Sequence, residues 1–357
     1  MKIALVGCGA VTQSVYVPLL SRRRDLFEVT AVCDLSRTLA DAVGDRLGVS
    51  RRYLSLTDML ADGGFDAVVM LASGSHGQAV RQALEAGFAV LCEKPLALTR
   101  AEVAALPEGR LMVGYMKQYD PAVLRAEQEL ARLGGPEAIR AVEVTVLHPS
   151  GESQLAFANL TQAGDVDVAP LKAAEDALVS QALGADAPAS VRGLYGVSLG
   201  SICHDLSLLR RFTGSPAEIS YVSTWGQAPG SIEITGELPV SGRFSIRWHY
   251  LEDYPAYRET VTIHHDAGSL ELVFPSPYLL NAPTTLTVVS GGESRNVYTD
   301  VTEAFETQLL AFHAFVTQGK APLTDRAGGL EDIVTAQRIA ARYAVLNGLA
   351  IGGEAAS

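Results

Sequence analysis

Residues 2–13 read KIALVGCGAVTQ: a short apolar run, glycines at 7 and 9, then a stretch able to enter a helix. A strand that ends on Gly7-Cys8-Gly9 and turns at once into a helix predicts a dinucleotide-binding fold. Gly7 permits the tight turn. Gly9 lets the backbone approach a pyrophosphate, which then rests on helix N–H groups around Ala10 and Val11. Thr12 stands where the third glycine of the fingerprint belongs. The next β-rich run, EVTAVC (28–33), closes on Asp34, 25 residues beyond Gly9. A carboxylate there accepts hydrogen bonds from an adenosine ribose. It repels a 2′-phosphate and so favours NAD, whereas Arg37 is the residue that would accommodate NADP.

Working outward, residues 66–72, 88–92 and 111–115 are further apolar runs, with helical patterns over 36–48 and 75–87, the second stopped by Gly87. Continuously apolar strands separated by helices predict a doubly wound parallel sheet. Beyond residue 120 the pattern becomes alternating, over 140–147, 218–225, 231–238, 242–250, 259–265, 269–274 and 284–289. Alternation predicts an antiparallel sheet with one covered face. Helical patterns lie at 170–184, 201–213, 303–318 and 328–347. The expected fold is α/β. A Rossmann domain spans 1–118. A C-terminal α/β domain with a large, mostly antiparallel open sheet spans 119–350, its final helices free to pack back on the first domain. Residues 351–357 are expected to be a frayed tail.

Composition narrows the function. The 357 residues are 48% hydrophobic and 19% charged, which excludes a largely disordered chain. The net charge of −12 argues against nucleic acid. No apolar run is long enough to span a membrane, and the N-terminus lacks the pattern of a signal peptide. Cys8, Cys33, Cys92 and Cys203 form no CxxC pair and read as buried reduced thiols, consistent with a cytoplasmic protein. His264-His265-Asp266 resembles a metal cluster only at first sight, since adjacent side chains on a strand point to opposite faces. No metal is expected.

HGQAVRQALEAGFAVLCEKPLAL (76–98) resembles the glucose-fructose oxidoreductase / inositol dehydrogenase / MocA family of NAD(P)-dependent oxidoreductases. VGYMKQYDP (113–121), GSICHDLSLLRRFTG (200–214) and the closing helices over 305–340 extend the resemblance over nearly the whole chain. The resemblance implies hydride transfer to or from a secondary alcohol or ketone of a sugar, inositol or amino sugar. It also implies a homodimer or homotetramer formed through the C-terminal sheet. Gly7 and Gly9 then cradle the pyrophosphate, Asp34 holds the ribose, and Ser73 and His76 lie near the cofactor. Glu93 and Lys94 reach the nicotinamide ribose, and His204 matches the catalytic histidine. Lys94, Lys117, Gln118, Tyr195 and His204 are the candidate substrate contacts.

The chemistry fits on its own terms. A cation beside the reacting oxygen stabilises alkoxide charge, which suits Lys94. A histidine exchanges the hydroxyl proton near neutral pH, which suits His204. If His204 opens its helix, the helix dipole disfavours imidazolium. The chain departs from the family pattern at Gly200 and Ser207, where aspartates often stand, at Ile202 for glycine, and at Gln118 for arginine. Asp205 follows His204 directly and so points about 100° away from it. Residues 150–190 carry six acids (Glu152, Asp165, Asp167, Glu175, Asp176, Asp186) against Lys172 alone. That segment reads either as an active-site cover or as a solvated surface. As a cover it would be a poor partner for a nucleotide-diphosphate sugar, which wants Arg or Lys. A cofactor-binding regulator and an NAD-dependent glycosidase remain alternatives. Net change in free NADH separates both from a dehydrogenase.

Overall fold

The apolar runs of the first third become parallel strands. β1 (Lys2–Val6), β2 (Glu28–Cys33), β3 (Arg52–Tyr53), β4 (Ala67–Met70), β5 (Ala89–Glu93) and β6 (Leu111–Gly114) form one sheet in the order β3-β2-β1-β4-β5-β6. Every pairing in it is parallel. β4, β5 and β6 are buried at each residue, so no face needs to be polar. β3 has two residues, too few for any periodicity to reveal it. The order reverses direction between β1 and β4, and ligands of such sheets lie beyond the carboxyl ends at that point.

This computed structural model describes residues 1–226, 230–291 and 294–356. The chain divides into two compact units. The first comprises Met1–Gly114, Leu155–Val179 and Gln308–Leu330; the second comprises Tyr115–Gln154, Ser180–Thr307 and Glu331–Ser357. Residues 308–330 join the first unit through backbone bonds such as Val113 N–H to the Thr324 carbonyl (2.9 Å).

In the second unit, β7 (Ile139–His148), β8 (Glu218–Trp225), β9 (Ser231–Glu237), β10 (Arg243–Tyr250), β11 (Arg258–His265), β12 (Gly268–Phe274), β13 (Thr285–Ser290) and β14 (Ser294–Thr299) form a second sheet. Its order among the described residues is β14-β13-β12-β11-β7-β10-β9-β8. All neighbours are antiparallel except β7 and β10, which run parallel. Val142, Val144 and Val146 alternate with the exposed Glu143 and half-exposed Thr145, so one face is covered. β14 carries no clean alternation and escaped the sequence reading.

Two expectations need correcting. Residues 351–357 are not frayed throughout: Gly353–Ala356 form a short helical turn, Gly352 N–H donates to the Leu183 carbonyl (2.7 Å), and Gln337 donates to Glu354 (2.7 Å). The helix expected at 201–213 does not begin there. Ala189–Val197 is helical and passes through a π-helical turn, Ser198–Ile202, into Cys203–Thr213. Among the described residues no helix is long and apolar enough to cross a membrane.

Candidate active site

In the first unit the glycine turn has the shape a dinucleotide needs. Gly7 has φ +92°, and a Cβ there would stand 2.3 Å from the Ala72 nitrogen, so β1 and the loop after β4 meet as closely as backbone allows. Gly9 has nothing within 4 Å of its Cβ position, which leaves that side open for a pyrophosphate. Thr12 is fully buried and donates to the Gly7 carbonyl (2.6 Å), filling the place of the third glycine. The helix opens into π geometry over Thr12–Tyr16. Asp34 is oriented by two backbone donors: Cys8 N–H to Oδ2 (2.7 Å) and Ser36 N–H to Oδ1 (2.8 Å). The carboxylate therefore stands between the glycine turn and the next helix, where a ribose-binding acid belongs. Arg37 begins the helix Arg37–Leu47 and is exposed.

The loops after β4 and β5 carry the next candidates. Ser73 is exposed. His76 is 2% exposed, with Nδ1 2.7 Å from the Pro95 carbonyl and Nε2 2.7 Å from the Ala72 carbonyl. Burial lowers its pKa below the ordinary value. The neutral ring has one N–H, so it bonds one carbonyl at a time and braces the Lys94-Pro95 loop rather than facing a ligand. Lys94 is half-buried at the end of β5, ahead of a cis peptide bond to Pro95. Glu93 is the last residue of β5. Its carboxyl is buried and accepts from the Tyr16 hydroxyl (2.7 Å), which in turn accepts from Gln308 (3.0 Å). Burial raises the Glu93 pKa, against the opposing pull of Tyr16 and Lys94. Its other oxygen accepts from the Lys94 N–H (3.3 Å), so the carboxyl ties the start of the loop to Tyr16.

The second unit holds His204 on the helix Cys203–Thr213. The Tyr115 ring meets the imidazole edge-on, with centroids 6.2 Å apart. The Arg210 guanidinium lies 5.7 Å from the Tyr115 ring and pairs with the buried Asp332. Because helical backbone continues upstream of residue 203, His204 is not at a helix N-terminus, and the dipole argument for a lowered pKa does not apply. Gly200, in the π turn, is exposed with open space where a side chain would stand. Ser201 in the same turn accepts from Trp248 Nε1 (2.9 Å), tying the helix to β10.

The same helix contributes Asp205 to a buried charge cluster. The Lys117 ammonium pairs with Glu259, and the Tyr257 hydroxyl donates to Glu259 Oε2 (2.5 Å). Asp205 is 1% exposed and faces Glu259. Burial first, and then the Glu259 charge, push the Asp205 pKa well above the carboxylate range, while Lys117 pulls the other way. Two carboxyls against one ammonium are neutral only with one proton retained, and the raised Asp205 pKa favours Asp205 as its holder.

A family model described as an oxidoreductase family with an NAD-binding Rossmann fold, the Gfo/Idh/MocA family, matches residues 1–108. A D-xylose 1-dehydrogenase (NADP(+)) from Haloferax volcanii is 26% identical over 91% of this chain and 92% of its own length. Residues 1–108 thus match the NAD-binding Rossmann domain of the Gfo/Idh/MocA oxidoreductase family. An inositol 2-dehydrogenase/D-chiro-inositol 3-dehydrogenase from Shouchella clausii is 31% identical over 41% of this chain and 45% of its own. In fold, the chain is similar to an oxidoreductase from Agrobacterium radiobacter crystallised with NAD+, L-tartaric acid and magnesium. The TM-score is 0.69 at 16% identity, covering 94% of each chain. The likeness to that structure is one of fold.

Three of the expected substrate contacts are turned inward. Lys117, Gln118 and Tyr195 are 5%, 2% and 0% exposed. Lys117 is engaged by Glu259, and Gln118 donates to the Ser207 carbonyl (2.9 Å). As folded, these side chains shape the second unit from within. Two cluster members were missed but had a signal. Glu259 shares strand parity with the buried Val261 and Ile263, an inward charge in an alternating run. Asp205 precedes Leu208 and Leu209 at helical spacing on a buried face. The His264-His265-Asp266 side chains diverge: His264 is exposed near Glu143 (3.8 Å), His265 is buried, and Asp266 pairs with Arg140 (2.5 Å).

Proposed function

We propose that the protein exchanges a hydride between a nicotinamide coenzyme and a secondary alcohol, or its ketone, of a sugar, inositol or amino sugar. The observation that carries this reading is within the first unit. The open glycine turn, the oriented Asp34 carboxylate and Lys94 all stand at the carboxyl ends of β1, β2 and β5, the edge where open α/β sheets bind ligands. The xylose and inositol dehydrogenases among its relatives support the substrate class. Bound nicotinamide supplies the hydride acceptor or donor. Gly7 and Gly9 keep the backbone free to meet the pyrophosphate, with Ala10 and Val11 opening the helix behind it. Lys94 offers a cation to the substrate oxygen as alkoxide charge develops. His204 takes the hydroxyl proton in oxidation and returns it in reduction, its ring held by Tyr115.

The uncovered sheet face, where Thr145, Arg247 and Thr260 alternate with buried neighbours, supports assembly as a homodimer or homotetramer. Light scattering that returned 37.8 kDa at micromolar concentration would count against it. Four buried free thiols support a reducing, cytoplasmic location. The direct test of the function is absorbance of free NADH or NADPH with a panel of aldoses, inositols and amino sugars. Net turnover with at least one of them is expected, and no net change across the panel with either coenzyme would overturn the reading.

A further inference from the structure

The acidic stretch Leu155–Val179 folds as part of the first unit. It is hydrogen-bonded to the segments following β1 and β2 and packs against the loop following β4. Thr161 exchanges two hydrogen bonds with Gln13, in the helix after the glycine turn: Thr161 N–H to Gln13 Oε1 (2.9 Å) and Gln13 Nε2 to the Thr161 carbonyl (3.0 Å). Asp165 accepts from the Ser36 hydroxyl (2.5 Å) and from Thr38 N–H (3.1 Å). Glu175 lies against Gly74, its Oε1 1.6 Å from the place a Cβ would take. These three loops border the crevice in which a sheet of this kind receives a dinucleotide.

The middle anchor bears on which dinucleotide. A ribose-binding acid at the end of β2 fixes where the adenosine ribose lies, and a 2′-phosphate on that ribose projects into the following loop. Here that loop is Leu35-Ser36-Arg37-Thr38. Two of its donors, the buried Ser36 hydroxyl and the Thr38 N–H in the first turn of a helix, make a pairing suited to an anion. Both are already given to Asp165. The Ser36 bond first, then the Thr38 N–H, hold the Asp165 carboxyl below its ordinary pKa, so it is charged at neutral pH. Asp34 adds a second carboxylate at the same loop, against the single guanidinium of Arg37.

We propose that Asp165 is a coenzyme-specificity residue. Its carboxylate takes the hydrogen bonds that a 2′-phosphate would need, so that NAD(H) binds with the segment in place and NADP(H) binds only by displacing it. The proposal rests on the first unit being the dinucleotide site. It also gives the acidic segment a task distinct from covering the substrate.

Titration of NADH and NADPH, followed by coenzyme fluorescence, on the full-length protein and its Asp165→Ala and Asp165→Asn variants tests it. Asp165 is exposed, so neither change disturbs a core. The wild type should prefer NADH by about tenfold or more. Asp165→Ala should tighten NADPH by about tenfold while NADH stays within about threefold. Asp165→Asn, which keeps the shape and removes the charge, should recover part of that gain. The wild-type preference should also shrink as salt is raised, because an exposed charge is screened. An unchanged NADPH-to-NADH ratio in Asp165→Ala, with both coenzymes still binding, overturns the role of Asp165 and leaves the dinucleotide site standing. Failure of either coenzyme to bind any of the three proteins overturns both.

Discussion

In the first unit, the groups that would meet a ligand are largely backbone: the Gly7–Gly9 turn and the two N–H groups that orient Asp34. In the second, the helix bearing His204 rests on side chains brought together from far apart in the chain: Lys117, Asp205, Tyr257 and Glu259. The difference has a physical basis. A backbone cradle is set by local dihedral freedom, so a few adjacent residues specify it. A buried charge cluster is set by which strands pair and which helix covers them, so its members are adjacent only after folding. The first kind of site tolerates little substitution at glycine. The second tolerates neutral replacement of one member and not of another.

Loss of the His204 imidazole should have the largest effect. His204→Asn should lower kcat by on the order of 10² to 10⁴, and the pH–rate profile should lose its histidine limb. Retention of both rate and limb would move the proton transfer elsewhere.

The charge cluster should break asymmetrically. Glu259→Gln removes the carboxylate that pairs with the buried Lys117 ammonium, and chemical denaturation should show a loss of about 3–5 kcal/mol. Next in size, Thr284→Val removes the hydroxyl that donates to buried Asp120 Oδ2 (2.6 Å) and should cost about 1–3 kcal/mol in the same assay. Smallest is Asp205→Asn, which mimics the protonated carboxyl and should stay within about 1 kcal/mol of wild type at mildly acidic pH. Its pH dependence carries the sign. The folded Asp205 pKa is raised, so the stability that Asp205 contributes is full below its unfolded value and is lost as pH rises through the folded one. Asp205→Asn should therefore gain on wild type as pH increases. Equal losses in Asp205→Asn and Glu259→Gln would contradict the assignment of the proton to Asp205.

The same division explains what could be read without coordinates. β1, β2 and the helix Arg37–Leu47 follow from apolar runs and from Ser36 and Gly48 as caps, all local signals. The alternation of β7 to β13 fixed which residues point inward, but the inward charge of Glu259 within it went unread. The fate of Glu93 was not legible, because its partners Tyr16 and Gln308 lie 77 residues away and, through Tyr16, 292 apart. Neither was the capture of Ser36 by Asp165, separated by 129 residues. The π turn Ser198–Ile202 also escaped, since it leaves the helical hydrophobic pattern nearly intact while moving the helix start upstream of His204.

The central claim is that the first unit both holds the dinucleotide and places the catalytic cation, and that these are separable. Measuring NADH affinity and kcat on the same Lys94→Ala protein tests it most directly. The account predicts kcat reduced by on the order of 10² to 10³, with the dissociation constant for NADH within about tenfold of wild type. Near-normal turnover in that variant would contradict it.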